Sequence, residues 1–166
     1  MKIKRLVVGV LSENCYVLTI DNECIIIDPG SEPERIETYI QDKKLVGILI
    51  THHHSDHIGA LKELLNNHPD VKENVVNSDK FQYEIIENPG HTKDSVSYYF
   101  KNEKIMFTGD FIFKGAIGRT DLGGSDESMI KSLKKISEYP DDITIYPGHG
   151  FESTLGSEKE SFQFYY

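Results

Sequence analysis

The stretch Thr51-His52-His53-His54-Ser55-Asp56-His57 decides the fold. It follows a continuous apolar run at residues 45–50, which predicts a β-strand that is buried on both faces. Alternate side chains of an extended segment point the same way, so His52 and His54 can share one metal ion. Asp56 and His57 stand where the chain turns into a helix, and they can face a second ion nearby. The six residues 52–57 cannot fill two coordination spheres, so the pattern requires further ligands downstream.

Three later loops supply side chains of the required kind. His91 and His149 both lie in Pro-Gly-His sequences, and Asp110 follows Gly109 at the end of an apolar run. Each of them comes directly after a predicted strand, as His52 does. Loops at strand ends, held by a rigid sheet, are where α/β scaffolds build their sites. The candidate ligands are therefore His52, His54, Asp56, His57, His91, Asp110 and His149.

Other interpretations of the histidines remain open. Three adjacent histidines could be a chance polar tract or could bind metal adventitiously. Neither interpretation explains why His91, Asp110 and His149 all follow predicted strands. His53 points away from the shared face, and His68 belongs to no pattern. We expect both to be ordinary polar residues.

The remaining sequence alternates between strand and helix signals. Strands are predicted at residues 3–11, 15–20, 24–28, 45–50, 95–100, 104–108 and 143–146, with one or two more within 71–87. Helices are predicted from Ser31 to about Lys43, after His57, after Ser125, and from about Thr154. Ser31 with Glu34 resembles a capping box, and Ser125 is expected to cap a helix that has Asp126 in its first turn. Residues 111–124 are expected to form a glycine-bearing loop.

Composition limits the class of protein. The 166 residues fit one compact domain, residues 1–166, with 38% hydrophobic and 27% charged residues. A net charge of −9 repels a phosphate backbone, so nucleic acid is not an expected partner. No apolar run is long enough to span a membrane, and residues 1–8 do not resemble a signal peptide, so the expected location is the cytoplasm.

The two cysteines are expected to be reduced. A hairpin that turns at Asp21-Asn22 would pair Thr19 with Cys24, which leaves Cys15 about four residues further along the sheet. At the rise of a strand this is roughly 13 Å. A disulfide requires Cα atoms within about 7 Å.

The histidine-rich stretch resembles the T-H-x-H-x-D-H signature of the metallo-β-lactamase superfamily. Residues 89–92 (Pro-Gly-His-Thr), 107–110 (Phe-Thr-Gly-Asp) and 147–150 (Pro-Gly-His-Gly) resemble its later metal motifs, in order, and residues 28–30 (Asp-Pro-Gly) match a structural motif of the fold. The resemblance covers nearly the whole chain. It implies an α/β fold of the four-layer αβ/βα sandwich type, with two mixed β-sheets flanked by helices.

The resemblance also implies a role for each ligand. His52, His54 and His91 would hold the first metal ion, and Asp56, His57 and His149 the second. Asp110 would bridge the two. Zinc is the expected metal, and iron and manganese are alternatives because they accept the same ligands.

Within the superfamily, the chain most resembles glyoxalase II and its small single-domain relatives, which carry a segment similar to residues 115–124. The expected reaction is hydrolysis of a thioester such as an acyl-glutathione, a small-molecule substrate. A metal-bridging hydroxide would be the nucleophile, and Asp56 would orient it and accept its proton. True β-lactamases do not usually have an aspartate at position 110, so antibiotic hydrolysis is not expected.

Substrate recognition is less closely defined. Arg119 and Lys114 are candidate groups for a substrate carboxylate, although Arg119 could instead pair with Asp121. The 34 residues from His57 to His91 are fewer than is common in the superfamily, which suggests a more open site. The alternatives are a lactonase, a persulfide dioxygenase of the same superfamily, or a non-catalytic metal-binding domain.

Overall fold

The computed structural model describes residues 1–165 and has a mixed α/β fold. Tertiary contacts divide the chain into two compact units, Met1–Phe81 and a second that begins at Gln82. Each unit has its own mixed β-sheet, its own helices and its own hydrophobic core. The predicted class, α/β with two mixed sheets and helices, is confirmed.

The first unit is built on a four-stranded sheet. Its elements are β1 (Lys2–Val8), β2 (Glu13–Ile20), β3 (Glu23–Ile27), α1 (Pro33–Ile40), β4 (Lys44–Leu49), α2 (Ser55–Ile58) and α3 (Leu61–Asn67). The strand order is β1-β2-β3-β4, with β3 and β4 parallel and the other pairs antiparallel. Strand β4 is buried on both faces, as its apolar sequence predicts.

The second unit is built on a five-stranded sheet. Its elements are β5 (Glu84–Glu87), β6 (Val96–Phe100), β7 (Ile105–Gly109), β8 (Ile112–Phe113), β9 (Ala116–Ile117), α4 (Asp126–Ile136), β10 (Thr144–Pro147), β11 (Ser153–Thr154) and α5 (Leu155–Phe162). The order is β11-β10-β7-β6-β5, with β7 and β10 parallel. Strands β8 and β9 form a separate hairpin.

The two cores follow from the apolar faces of these elements. In the first unit, Ile36 of α1 and Leu64 of α3 pack with Ile26 and Ile48 of the sheet. In the second, Leu133 of α4 belongs to the corresponding cluster on that unit's sheet. All three helices have apolar residues at helical spacing, so burial of one face anchors each helix to the sheet of its own unit.

Two predicted helix starts had different outcomes. The Ser125 side chain accepts a hydrogen bond from the backbone N–H of Ser128, which confirms the predicted cap of α4. The capping box at Ser31 is wrong, because α1 begins one residue later with Glu32 as its N-cap, and no side chain caps it. Glu32 adopts the left-handed conformation with φ 57°, and its carboxylate accepts hydrogen bonds from Gly9 and Arg35 instead.

The cysteine prediction is confirmed. Thr19 pairs with Cys24 across β2 and β3, and both Cys15 and Cys24 are buried free thiols. Burial raises the pKa of Cys24 to about 11, so its thiol stays protonated at neutral pH. Among residues 1–165, no helix has the length and apolar character needed to cross a bilayer.

Candidate metal centre

The histidine-rich turn gathers its four candidate ligands within the first unit. Strand β4 ends at Leu49, and the turn that follows leads into α2, which begins at Ser55. The ring centroid of His52 lies 4.8 Å from that of His54 and 4.2 Å from that of His57. Nε2 of His57 lies 3.7 Å from a carboxylate oxygen of Asp56. The turn therefore places three imidazoles and one carboxylate in a single cluster.

Asp28 fixes the orientation of this turn. Its carboxylate accepts hydrogen bonds from the backbone N–H of Thr51 at 2.7 Å and from the Thr51 hydroxyl at 2.6 Å. The same carboxylate lies 3.0 Å from Nδ1 of His57. A carboxylate can only accept, so the Nδ1 of His57 carries the ring proton and its Nε2 carries the lone pair.

His52 has the same tautomer for a related reason. The Thr51 hydroxyl donates its proton to the Asp28 carboxylate. Its oxygen, 3.1 Å from Nδ1 of His52, can therefore only accept a hydrogen bond from that nitrogen. Nε2 of His52 is then the nitrogen able to bind a metal. Histidines that bind metals commonly donate their other N–H to a carboxylate or another acceptor in this way.

Replacement of Asp28 by asparagine should weaken metal binding without unfolding the chain. An amide cannot accept from Thr51 and His57 as the carboxylate does, whereas asparagine tolerates the φ of 51° at this position. We expect metal affinity to fall by about 10–100-fold, measured by competition with a chromogenic chelator. Asp70→Asn, at an exposed aspartate of the same unit, is the control. Equal affinity in the two variants would contradict this role.

Glu13 is a residue of this cluster that the sequence analysis missed. It begins β2, is almost fully buried, and has a carboxylate oxygen 3.8 Å from Nδ1 of His57. Glu13, Asp28 and His57 each offer a ligand atom within 4.8 Å of the others. The available signal was weak: an acidic residue at the start of a mostly apolar strand.

The second unit gathers the other three candidates. Nε2 of His91 lies 3.6 Å from a carboxylate oxygen of Asp110, and Nε2 of His149 lies 3.7 Å from the same oxygen. Nδ1 of His91 donates to the backbone carbonyl of Arg119 at 2.7 Å, which leaves its lone pair on Nε2. The three side chains follow β5, β7 and β10, as the sequence predicts.

Close backbone packing holds this second cluster in place. A Cβ at Gly118 would lie 1.8 Å from the carbonyl oxygen of Asp110 and 3.1 Å from Cβ of His91. The carbonyl of Gly90 also accepts a hydrogen bond from the N–H of Ser125 at 2.9 Å, next to the start of α4. The glycines of the loop predicted at 111–124 thus allow the hairpin β8–β9 and the loop after it to support both ligands.

The donor set fits divalent metal ions. Two ligand atoms that bind one tetrahedral ion at about 2.1 Å lie about 3.4 Å apart, close to the nitrogen–oxygen distances in both clusters. Of the five candidate histidines, His52, His57 and His91 donate the Nδ1 proton to a protein acceptor. Imidazole nitrogen together with carboxylate oxygen suits zinc, iron and manganese.

The remaining predicted residues have other partners. Arg119 forms a bidentate ion pair with Asp121, with nitrogen–oxygen distances of 2.5 and 2.6 Å. These hydrogen bonds lower the pKa of Asp121 to about 2, so the pair stays charged at neutral pH. His53 contacts Glu73 at 2.7 Å, outside the cluster, as expected. His68 contacts Glu37, also as expected.

A family model for the metallo-beta-lactamase superfamily matches residues 8–83 and 79–149. The chain therefore belongs to the metallo-beta-lactamase superfamily and is a metal-dependent hydrolase of that superfamily. Its histidine and aspartate clusters accordingly indicate divalent metal ions.

Individual relatives agree with this assignment. The chain is 33% identical to the probable metallo-hydrolase YqgX of Bacillus subtilis, over 96% of this chain and 95% of the relative. It is 32% identical to the hydroxyacylglutathione hydrolase GloC of Haemophilus influenzae, over 97% and 96%. Among solved structures, the BLEG-1 B3 metallo-beta-lactamase matches with a TM-score of 0.90 and 28% identity, over 99% of both chains. The fold is that of the metallo-β-lactamases.

The relative YqgX has more residues than this chain over the aligned region. The alignment with YqgX spans 201 positions although this chain has 166 residues, so the relative carries residues that this chain lacks. The two matches to the family model meet at residues 79–83, between His57 and His91. Here Asn74 and Asn77 donate backbone hydrogen bonds to β4 without forming a continuous strand.

Proposed function

We propose that the two clusters together form one centre for two metal ions, and that the chain hydrolyses a thioester of the acyl-glutathione type. The observation that carries this proposal is the orientation of the imidazoles. His52, His57 and His91 are each held through Nδ1, so each presents Nε2 as a ligand. The family model supports the combination of the two clusters because it spans both units.

We assign the ligands in two sets. His52, His54 and His91 would hold one ion, Asp56, His57 and His149 the other, and Asp110 both. Asp110 suits the shared position because one of its oxygens lies 3.6–3.7 Å from histidines of different sets. Zinc is the metal we propose.

Bound ions would lower the pKa of a shared water toward neutrality and polarise the scissile carbonyl. The protein supplies the remaining steps. Asp56 is partly exposed beside His57, so its carboxylate can orient the attacking water and accept its proton. A thiolate leaves readily, so cleavage of a C–S bond requires no strong general acid. The products are a carboxylic acid and a free thiol.

One of the relatives supports a thioester substrate. The relative GloC, which the chain matches along nearly its whole length, is named as a hydroxyacylglutathione hydrolase. The two reduced, buried cysteines are consistent with the cytoplasmic location that we propose for a thiol conjugate of this kind.

Turnover of a substrate panel before and after chelation tests the proposal. The panel contains a hydroxyacyl-glutathione, a lactone, a β-lactam and a phosphodiester, and oxygen uptake is followed with a persulfide. We expect the thioester to be the best substrate, with at least about 100-fold loss on chelation and recovery on addition of zinc. Preferred turnover of another substrate, metal-linked oxygen uptake, or metal binding without turnover would overturn it. The β-lactam is included because of the fold match to BLEG-1.

A further inference from the structure

We infer that a cavity in the second unit is the acyl-binding subsite and that it selects acyl groups whose apolar chain ends in a negative charge. The cavity has a volume of about 380 Å³ and is lined by Phe113, Lys114, His149, Gly150 and Phe151. This inference rests on the proposed function, because His149 is one of the proposed ligands. It adds a substrate class, the thioesters of dicarboxylic acids.

The cavity begins at the reacting centre. His149 lines it directly, and the Phe113 ring stands edge-on to the His149 imidazole with centroids 6.3 Å apart. A group bonded to a carbonyl at the metal centre can therefore extend into this space. The volume is near the lower end of the range for small-molecule sites, which suits a short acyl chain.

Two aromatic rings make the inner surface of the cavity apolar. Phe113 is half-buried at the end of β8, whereas Phe151 is 65% exposed in the loop after β10. An exposed phenylalanine gains from contact with an apolar ligand, because binding removes its ring from water. Methylene groups of an acyl chain are the matching surface.

Lys114 gives this apolar surface a single positive charge. Its side chain is exposed and makes no ion pair or hydrogen bond with any of residues 1–165. Arg119, the other predicted cation, is already held by Asp121. In a protein with a net charge of −9, Lys114 is therefore the cation at this cavity that can meet a ligand carboxylate.

The backbone that carries Lys114 is fixed. Lys114 and Gly115 form the turn of the β8–β9 hairpin, and the N–H of Gly115 donates to the Glu158 carboxylate at 2.7 Å. Glu158 lies almost fully buried on α5 and also accepts a hydrogen bond from the Ser153 hydroxyl. The position of the charge is thus set before a ligand arrives, which reduces the entropy lost on binding.

Paired substrates and two variants test the subsite. Hexanoyl-glutathione and its analogue with a terminal carboxylate, adipoyl-glutathione, differ in the charge at the end of the chain. We expect the wild type to prefer the charged substrate by about tenfold in kcat/KM, the effect of one favourable charge contact. Lys114→Met should bring the ratio to about one, and Lys114→Glu should reverse it. Phe151→Ala should raise KM for both substrates.

Lys101→Met and Ile85→Ala are matched controls, because both residues are exposed and neither lines this cavity or the neighbouring cavity that Lys114 also lines. Neither should change the ratio. An unchanged preference in both Lys114 variants, or no preference in the wild type, would overturn the inference.

Binding measured without turnover separates the subsite from the proposed reaction. In metal-free protein, adipate should shift the amide resonances of residues 113–115 and 150–151 in the NMR spectrum, and Lys114→Glu should abolish the shifts. Shifts together with no thioester hydrolysis would support the subsite and overturn the proposed function. Thioester hydrolysis with no charge preference and no shifts would support the proposed function and overturn the subsite.

Discussion

Asp110→Ala should remove both the bound metal and the activity of the protein. Asp110 lies near two histidines of different proposed sets, with one oxygen 3.6 Å from His91 and 3.7 Å from His149. In the proposed assignment, its loss would remove a ligand from each ion and the negative charge shared by the two. We expect metal content to fall below one ion per chain and kcat/KM to fall by more than about 100-fold. This loss exceeds the roughly 10–100-fold effect that is usual for a residue that only hydrogen-bonds to a metal ligand.

Asp142→Ala is the matched control for this prediction. Asp142 is an exposed aspartate of the same unit, and its partner is Lys104 at 2.5 Å. This variant should keep full metal content, measured by elemental analysis of protein purified without added metal, and full turnover of the best substrate. Wild-type metal content in Asp110→Ala would contradict the bridging role. Full turnover in metal-free Asp110→Ala would contradict the metal-dependent reaction as well.

Gly118→Ala should destabilise the second unit and distort its ligands. The added Cβ would lie 1.8 Å from the Asp110 carbonyl oxygen, far inside any real contact, and that atom belongs to the backbone and cannot rotate away. The backbone must shift, and the shift moves Asp110 and His91 together. We expect a loss of about 3 kcal/mol in the free energy of unfolding, which lowers Tm by roughly 10 °C. Metal affinity should fall with it.

Gly115→Ala separates this clash from the ordinary cost of replacing glycine. Gly115 lies on the same hairpin at φ +76°, and a Cβ there would meet nothing within 4 Å. Only the strain of the left-handed conformation remains, about 1 kcal/mol. Thermal unfolding of the metal-free proteins measures the comparison. Equal stability of the two variants, with unchanged metal affinity in Gly118→Ala, would show that the packing at Gly118 does not position the ligands.

The sequence was most informative where two signals coincided. The strand order along the chain and the placement of His52, His91, Asp110 and His149 after strands were predictable, because apolar runs and ligand-bearing loops alternate. The cap at Ser125 was also predictable, because serine is followed by acidic residues in the first helical turn.

The errors arose where tertiary contacts outweighed local pattern. Ser31 has the sequence of a capping box, but Glu32 takes a left-handed conformation to reach Gly9 and Arg35, and Pro33 then opens the helix. The hairpin β8–β9 has two residues in each strand, too few for any periodicity. Glu13 gave only a weak signal, an acidic residue at the start of a strand, since its role depends on Asp28 and His57, which are distant in sequence.

The interpretation of Arg119 shows a different limit. Its sequence position suggests a substrate-binding cation, and pairing with Asp121 was the stated alternative. The structure has the ion pair. Charge alone could not decide between these two roles, because both use the same guanidinium. The choice depends on which carboxylate lies within reach, and that is a property of the folded loop.

The most direct test of the central proposal is an anomalous difference map from a crystal of the zinc-loaded protein. We predict two peaks, one bound by His52, His54 and His91 and the other by Asp56, His57 and His149. The two peaks should be about 3.5–4 Å apart, as in two-metal hydrolases, and the Asp110 carboxylate should lie between them. Peaks bound by residues of one cluster only, or by neither cluster, would contradict the account.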